Sequence, residues 1–161
     1  MSKTKNSYIN KSKTNSWKTP KYVYDKLYKI FKFDKDFDPC PYNPNFQDGV
    51  DIDGRDIEWS DITYCNPPYS DLKSTKKKIG WIEKGHIEAQ KGKTIIFLIP
   101  ARTDTSWFHN IILKNNYRVK FIKGRVRFKN DDNDKSTSAP FPSMVIIMKK
   151  YKTKMNISIE F

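Results

Sequence analysis

Residues 66–69 read Asn66-Pro67-Pro68-Tyr69, directly after the apolar run Ile62-Thr63-Tyr64-Cys65. The residue before a proline is held extended, and proline itself has a fixed φ and no N–H. Two consecutive prolines therefore make a rigid bend whose carbonyl oxygens stay out of a strand ladder. The Asn66 side-chain carbonyl and the Pro67 backbone carbonyl can then converge as paired acceptors, matching the two hydrogens of an exocyclic amine. Tyr69 adds a flat face suited to stacking a planar ring. An aromatic amine is a poor nucleophile because its lone pair is spread into the ring. Acceptors on both hydrogens favour the tetrahedral geometry that frees the lone pair, which is preorganisation toward a transition state. Attack on a sulfonium methyl then needs alignment of nucleophile, methyl and leaving sulfur more than a strong base. The competing explanation is a purely structural Pro-Pro turn, and the surrounding elements must decide between the two.

Those elements alternate. The spacing of Val23, Leu27, Ile30 and Phe31 predicts a helix from about residue 20, with Thr19 able to cap it and Pro20 in its first turn. A short strand is expected at Lys35–Asp38, followed by the proline-rich loop "DPCPYNPN". Residues 62–65 read as a buried strand feeding the Pro-Pro bend. A helix is expected at about 76–91, with Ile79, Ile82, His86 and Ala89 on one side. The unbroken run "TIIFLIPA" suits the centre of a parallel sheet. An amphipathic helix follows over "TDTSWFHNIILKNN", capped by Asp104 or Thr105. "YRVKFIKGRVRF" and "SMVIIMKK" read as strands around a polar loop at 129–142. Strands alternating with helices predict an α/β fold with a mostly parallel sheet and an antiparallel C-terminal edge. Such sheets bind ligands beyond the carboxyl ends of their strands. Asp38, Asn66 and the stretch Ala101–Asp104 all fall at such ends.

The 161 residues fit one domain at 17–161, preceded by a basic arm at 1–16 that reads as disordered. The net charge of +13 favours a polyanionic partner, nucleic acid above all, and argues against a protein substrate. Its placement carries more weight than its total. Lys73, Lys76, Lys77 and Lys78 follow the Pro-Pro bend directly, and Lys120, Lys123, Arg125, Arg127 and Lys129 cluster later. Arg125 and Arg127 alternate on a strand and share one face, which favours phosphate contact. Cys40 and Cys65 lie far apart with no histidine at ligand spacing, so no metal site or disulfide is expected. No apolar run is long enough for a membrane span, and the expected setting is cytoplasmic. His86 and His109 read as packed or surface histidines with no catalytic or ligand role, Trp107 and Phe108 as core, and Cys65 as a small buried residue before the bend. Arg102 and Asp104, at the end of a central strand, are placed for ligand contact, with helix capping an equal reading for Asp104.

The order of "WKTP", "FDKDFDPC", "DGRDIEW", "YCNPPYS", "IIFLIPARTDTSWFH", "IKGRVRF" and "APFPSMVII" resembles the phage-type Dam-like DNA N6-adenine methyltransferase family, over Trp17 to about Lys149. That resemblance implies a Rossmann-like class I fold and S-adenosylmethionine (SAM) as methyl donor. It implies DNA, double-stranded, as partner, and protection of phage or mobile-element DNA as a role. It places Asn66, Pro67, Pro68 and Tyr69 around a flipped target adenine, with Phe128 helping to hold the base. On the cofactor side it places Thr19 and Pro20 at the methionine end of SAM, Asp38 and Pro39 where the first motif ends its strand, and Cys40 at the start of the loop beyond. Either Asp53 or Asp56 stands for the acid that contacts the adenine of SAM. The Gly-x-Gly turn usual after the first acid is absent, with no glycine until Gly49. Two other functions share these features. One is amino-methyl transfer to RNA adenine or guanine, or to protein glutamine. The other is a catalytically silent nucleic-acid-binding domain of the same fold.

Overall fold

The run Ile95–Ile99 has no polar position, so it must be covered on both faces. In the computed structural model, which describes residues 17–41, 52–130 and 133–150, it is. The helices are α1 (Lys21–Phe31) and α2 (Trp81–Gln90). The strands are β1 (Ile62–Cys65), β2 (Thr94–Pro100), β3 (Arg118–Phe121), β4 (Arg127–Asn130), β5 (Asn133–Ser138) and β6 (Ser143–Met148). Ile95, Phe97 and Ile99 of β2 face a layer built from α2 and the π-helical segment Phe108–Leu113. Ile96 and Leu98 face the opposite layer with Val23 and Leu27 of α1. The period-two alternation of a strand divides one apolar run between two cores. At Gly85 of α2, a Cβ would stand 2.4 Å from the Phe97 ring. Glycine there lets the helix lie directly on the sheet.

Among the described residues the main sheet has the order β1-β2-β6-β3. Only β1 and β2 pair in parallel, through the crossover that contains α2; β2–β6 and β6–β3 are antiparallel. The expected mostly parallel sheet is thus a mixed one, with the antiparallel C-terminal edge present. A fully apolar strand reports layers on both faces and carries no record of its neighbours' direction, which is why the run misled.

Four local expectations are also corrected. Lys35–Asp38 forms turns and no strand. The Asp34 carboxylate accepts the Asp36 N–H at 3.0 Å, the local side-chain competition that aspartates bring to extended backbone. Helix α2 starts at Trp81, because Thr75 Oγ1 takes the N–H groups of Lys77 and Lys78 at 3.3 and 3.2 Å and closes a turn there. The segment after β2 closes as a π-helix. Asp104 is exposed, and Thr105 acts through its backbone carbonyl, which accepts from Phe108 and His109. Strands Arg127–Asn130 and Asn133–Ser138 pair antiparallel, so much of the stretch 129–142, expected as a loop, is strand. Ile30 is 58 % exposed, so α1 buries only Val23 and Leu27 fully. The basic arm 1–16 and the loop positions 42–51 lie outside the described residues. No helix among the described residues is long and apolar enough to cross a membrane.

Candidate active site at the end of strand β1

Strand β1 ends at the fully buried Cys65, and Asn66 leaves the ladder into the Pro-Pro bend. The Asn66 side chain is held at both ends. Its Nδ2 donates to the Trp17 carbonyl and, at 3.1 Å, to Thr19 Oγ1. Its Oδ1 accepts from the Tyr69 hydroxyl at 2.9 Å. Thr19 Oγ1 also lies 2.7 Å from the Tyr64 hydroxyl, so the 17–20 segment is stitched to β1. Thr19 therefore does not cap α1; Pro20 is the N-cap and its carbonyl accepts from Val23 and Tyr24. Burial raises the Tyr64 and Tyr69 phenols above their ordinary range. Both stay protonated at neutral pH, which keeps Tyr69 a donor to Asn66.

Tyr69 is half-buried and meets Phe141 edge-on, with ring centroids 5.4 Å apart. Trp17 rests on Phe128 at 5.0 Å and on Phe141 at 5.9 Å. Phe128 is fully buried, so it presents no free face to a ligand and instead backs Trp17. No described residue donates to the Pro67 carbonyl, whereas that of Pro68 accepts from Asp71 at 3.1 Å. The bend thus carries one engaged side-chain acceptor with a second lone pair, and one backbone acceptor, beside an aromatic ring.

The expected cofactor-side positions gather next to this end of β1. The Asp38 carboxylate accepts the Cys40 N–H at 2.9 Å. Asp38 keeps solvent-accessible surface, yet burial raises its pKa, only partly offset by the Cys40 amide. Its charge also acts on Tyr24, Tyr64 and Cys65, which puts it among α1 and β1. Pro39 sits on Gly54, whose N–H bonds the Pro39 carbonyl at 3.1 Å and where a Cβ would meet that oxygen at 2.2 Å. Only glycine lets the 38–40 segment and the 53–56 turn touch.

Within that turn, Asp53 and Arg55 form a two-pronged pair, Nε to Oδ1 at 2.9 Å and Nη2 to Oδ2 at 2.7 Å. Lys78 adds a contact to Asp53 at 3.2 Å and binds Asp56 as well. Burial works against the Asp53 carboxylate, but Arg55 and Lys78 outweigh it and hold its pKa below the usual aspartate value. Arg55 also lies 5.0 Å over the Trp81 ring and 3.6 Å from Asp71, two residues beyond Tyr69. One guanidinium therefore joins the acidic turn to the segment after the Pro-Pro bend. Asp53 has both oxygens engaged; Asp56 is exposed, and among the described residues its carboxylate is met by Lys78.

Other expected positions stand apart. Arg102 is exposed just beyond β2; Arg125 and Arg127 are exposed, but only Arg127 lies on a strand, as the first residue of β4, so the expected alternation of the two on one strand is not present. Lys73, Lys76 and Lys77 are exposed, while Lys78 is committed to the two aspartates. His86 Nδ1 lies 2.7 Å from the Tyr117 hydroxyl, and Trp107 and Phe108 are core. Burial pushes both thiols up, so Cys40 and Cys65 stay neutral. Sequence reasoning missed Trp17, Tyr64, Arg55 and Phe141. Trp17 and Arg55 lie inside the quoted motifs "WKTP" and "DGRD", yet residue type alone carries no sign of a backbone carbonyl or an ion pair at work.

Searches among curated proteins and among solved structures return no match. A family model does match, and it covers residues 6–160, nearly the whole chain and every segment just described. The chain belongs to the DNA N-6-adenine-methyltransferase (Dam) family.

Proposed function

We propose that this chain transfers the methyl group of SAM to the N6 amine of an adenine turned out of DNA. The observation that carries the reading is the fixed amide of Asn66. With Nδ2 tied to the 17–20 segment, Oδ1 is committed as an acceptor. Together with the Pro67 carbonyl it would hold both amine hydrogens, leaving the nitrogen lone pair for the methyl. The Tyr69 ring supplies the stacking face, and a base must leave the duplex to reach it.

The groups at the end of β1 fit SAM. Asp38 is a solvent-reachable carboxylate, suited to accepting from hydroxyl or ammonium donors, and Pro39 and Cys40 continue the same segment. Thr19 and Pro20 stand beside Asn66, at the boundary between the cofactor and base sides. Asp53 and Asp56 both remain candidates for the adenine end. SAM, when bound, supplies an electrophilic methyl on sulfur. Its methyl would pass to the amine nitrogen as the sulfur–methyl bond gave its electrons to sulfur, and the nitrogen would then release one proton to solvent. Asn66 Oδ1 and the Pro67 carbonyl hold the amine hydrogens until that release. The Rossmann-like class I assignment belongs to this reading and rests on the parallel unit β1–α2–β2.

The exposed Lys73, Lys76 and Lys77 on one side, and Arg102, Arg125 and Arg127 beyond the sheet, would meet phosphates and make binding salt-sensitive. Incubation with labelled SAM and duplex DNA or RNA, followed by nucleoside mass spectrometry, tests the reading. N6-methyladenine in DNA is expected. Label confined to RNA, or no transfer to either polymer, would overturn it.

A further inference from the structure

We infer that Thr19, with Tyr64 behind it, is a positioning residue that locks the orientation of the Asn66 amide. The inference rests on the reading of Asn66 as the amine acceptor, and it gives Thr19 a task other than the cofactor contact implied by the family resemblance. An asparagine amide has a donor end and an acceptor end of nearly equal shape. If it turns over, Nδ2 replaces Oδ1 and faces an incoming amine with like hydrogens. Something must therefore favour one orientation.

The 17–20 segment does so in three steps. The Trp17 carbonyl can only accept, and it takes one Nδ2 hydrogen. Thr19 Oγ1 takes the other at 3.1 Å. Thr19 Oγ1 is in turn held 2.7 Å from the hydroxyl of Tyr64. Tyr64 cannot drift. It is buried in β1, stacked on Phe33 at 5.1 Å and met edge-on by Tyr24 at 5.6 Å. The chain of contacts thus runs from the core through Tyr64 and Thr19 to Asn66, and ends at Tyr69, whose hydroxyl donates to Oδ1 at 2.9 Å. Turning the amide over would set Oδ1 against the Trp17 carbonyl and leave a part-buried acceptor facing an acceptor. Two segments distant in sequence, 17–20 and 64–69, agree on one orientation of one side chain.

Thr19→Val removes the hydroxyl and keeps the shape; Thr19→Ser keeps the hydroxyl; Tyr64→Phe removes the anchor. The first readout needs no catalysis. Proton–nitrogen correlation spectra show the side-chain amide of Asn66, identified by its absence in Asn66→Ala. In the parent and in Thr19→Ser this amide is expected to exchange slowly with solvent. In Thr19→Val and Tyr64→Phe its exchange should quicken by about tenfold, the scale of one neutral hydrogen bond. The second readout is turnover at saturating SAM and DNA, which should fall by about the same factor in Thr19→Val and Tyr64→Phe and recover in Thr19→Ser. SAM affinity by calorimetry should stay within about twofold of the parent, because the interaction lost acts on the base side. Unchanged amide exchange in Thr19→Val would overturn the inference. So would weakened SAM binding with turnover intact at saturation, which would make Thr19 a cofactor contact. If the exchange pattern appears as stated while the parent transfers nothing to DNA, the lock stands and the proposed reaction fails.

Discussion

Glu88 is the buried ion on which the acidic turn depends. It is 0 % exposed, and its carboxylate accepts from Lys84 at 2.7 Å, Lys91 at 3.0 Å, Lys93 at 2.9 Å and the Trp59 N–H at 3.3 Å. Burial alone would raise its pKa; the three lysines and the amide outweigh that and lower it from 4.5 to about 2. A carboxyl held that far down contributes on the order of 3 kcal/mol to folding at neutral pH. The sign follows from the depressed value. The contribution is complete above the unfolded pKa near 4.5 and is lost as pH falls through the folded value of about 2. Glu88→Gln keeps the shape but leaves Lys84, 10 % exposed, without its counter-charge and Lys93, equally enclosed, with the exposed Glu58 alone. Breaking such a buried cluster costs about 3–5 kcal/mol. Urea unfolding followed by tryptophan fluorescence should show that loss at neutral pH, with the gap between variant and parent narrowing below about pH 4. Because Trp59 also donates to the Gly54 carbonyl at 2.6 Å, folded Glu88→Gln should bind SAM more weakly as the 53–56 turn loosens. A variant matching the parent at neutral pH, or a gap that stays constant into acid, would refute the reasoning.

The lysines after the bend should divide by their partners. Exchanging Lys73, Lys76 or Lys77 for Gln should each lower the salt slope of DNA binding by about one, measured by fluorescence anisotropy across a salt series. Lys78→Gln should leave that slope almost unchanged and weaken SAM binding in calorimetry instead, because Lys78 serves Asp53 and Asp56. Gly85→Ala drives a methyl to 2.4 Å from the Phe97 ring and should cost about 1–3 kcal/mol in thermal or urea unfolding. A neutral outcome there would mean that α2 can lift from the sheet without penalty.

The elements that carry the site were legible because their signals are local. "ITYC" before two prolines can only be a strand that stops, and β1 ends where the bend begins. "TIIFLIP" had to be covered on both sides, and it is. What stayed hidden depends on distant partners. Strand direction in β2 and β6 leaves no mark on composition. Asp34, Asp36 and Asp38 alternate with apolar or aliphatic-stemmed residues as a strand would, but side-chain capture of the Asp36 N–H gives turns. Thr19 looked like a helix cap by type and position, yet its hydroxyl is taken by Tyr64 and Asn66, 45 and 47 residues away. Lys78 looked like one more phosphate contact until its aspartates came into view. Nothing in the sequence around Glu88 marks it, and only the fold brings Lys93 and Trp59 to it.

The central claim is that Asn66 holds the target amine while the cofactor groups act independently of it. Asn66→Ala should still bind SAM with parental affinity in calorimetry, and DNA from cells expressing it should contain no N6-methyladenine above background, whereas the parent's DNA is methylated. Methylation by Asn66→Ala at the parental level would contradict the account.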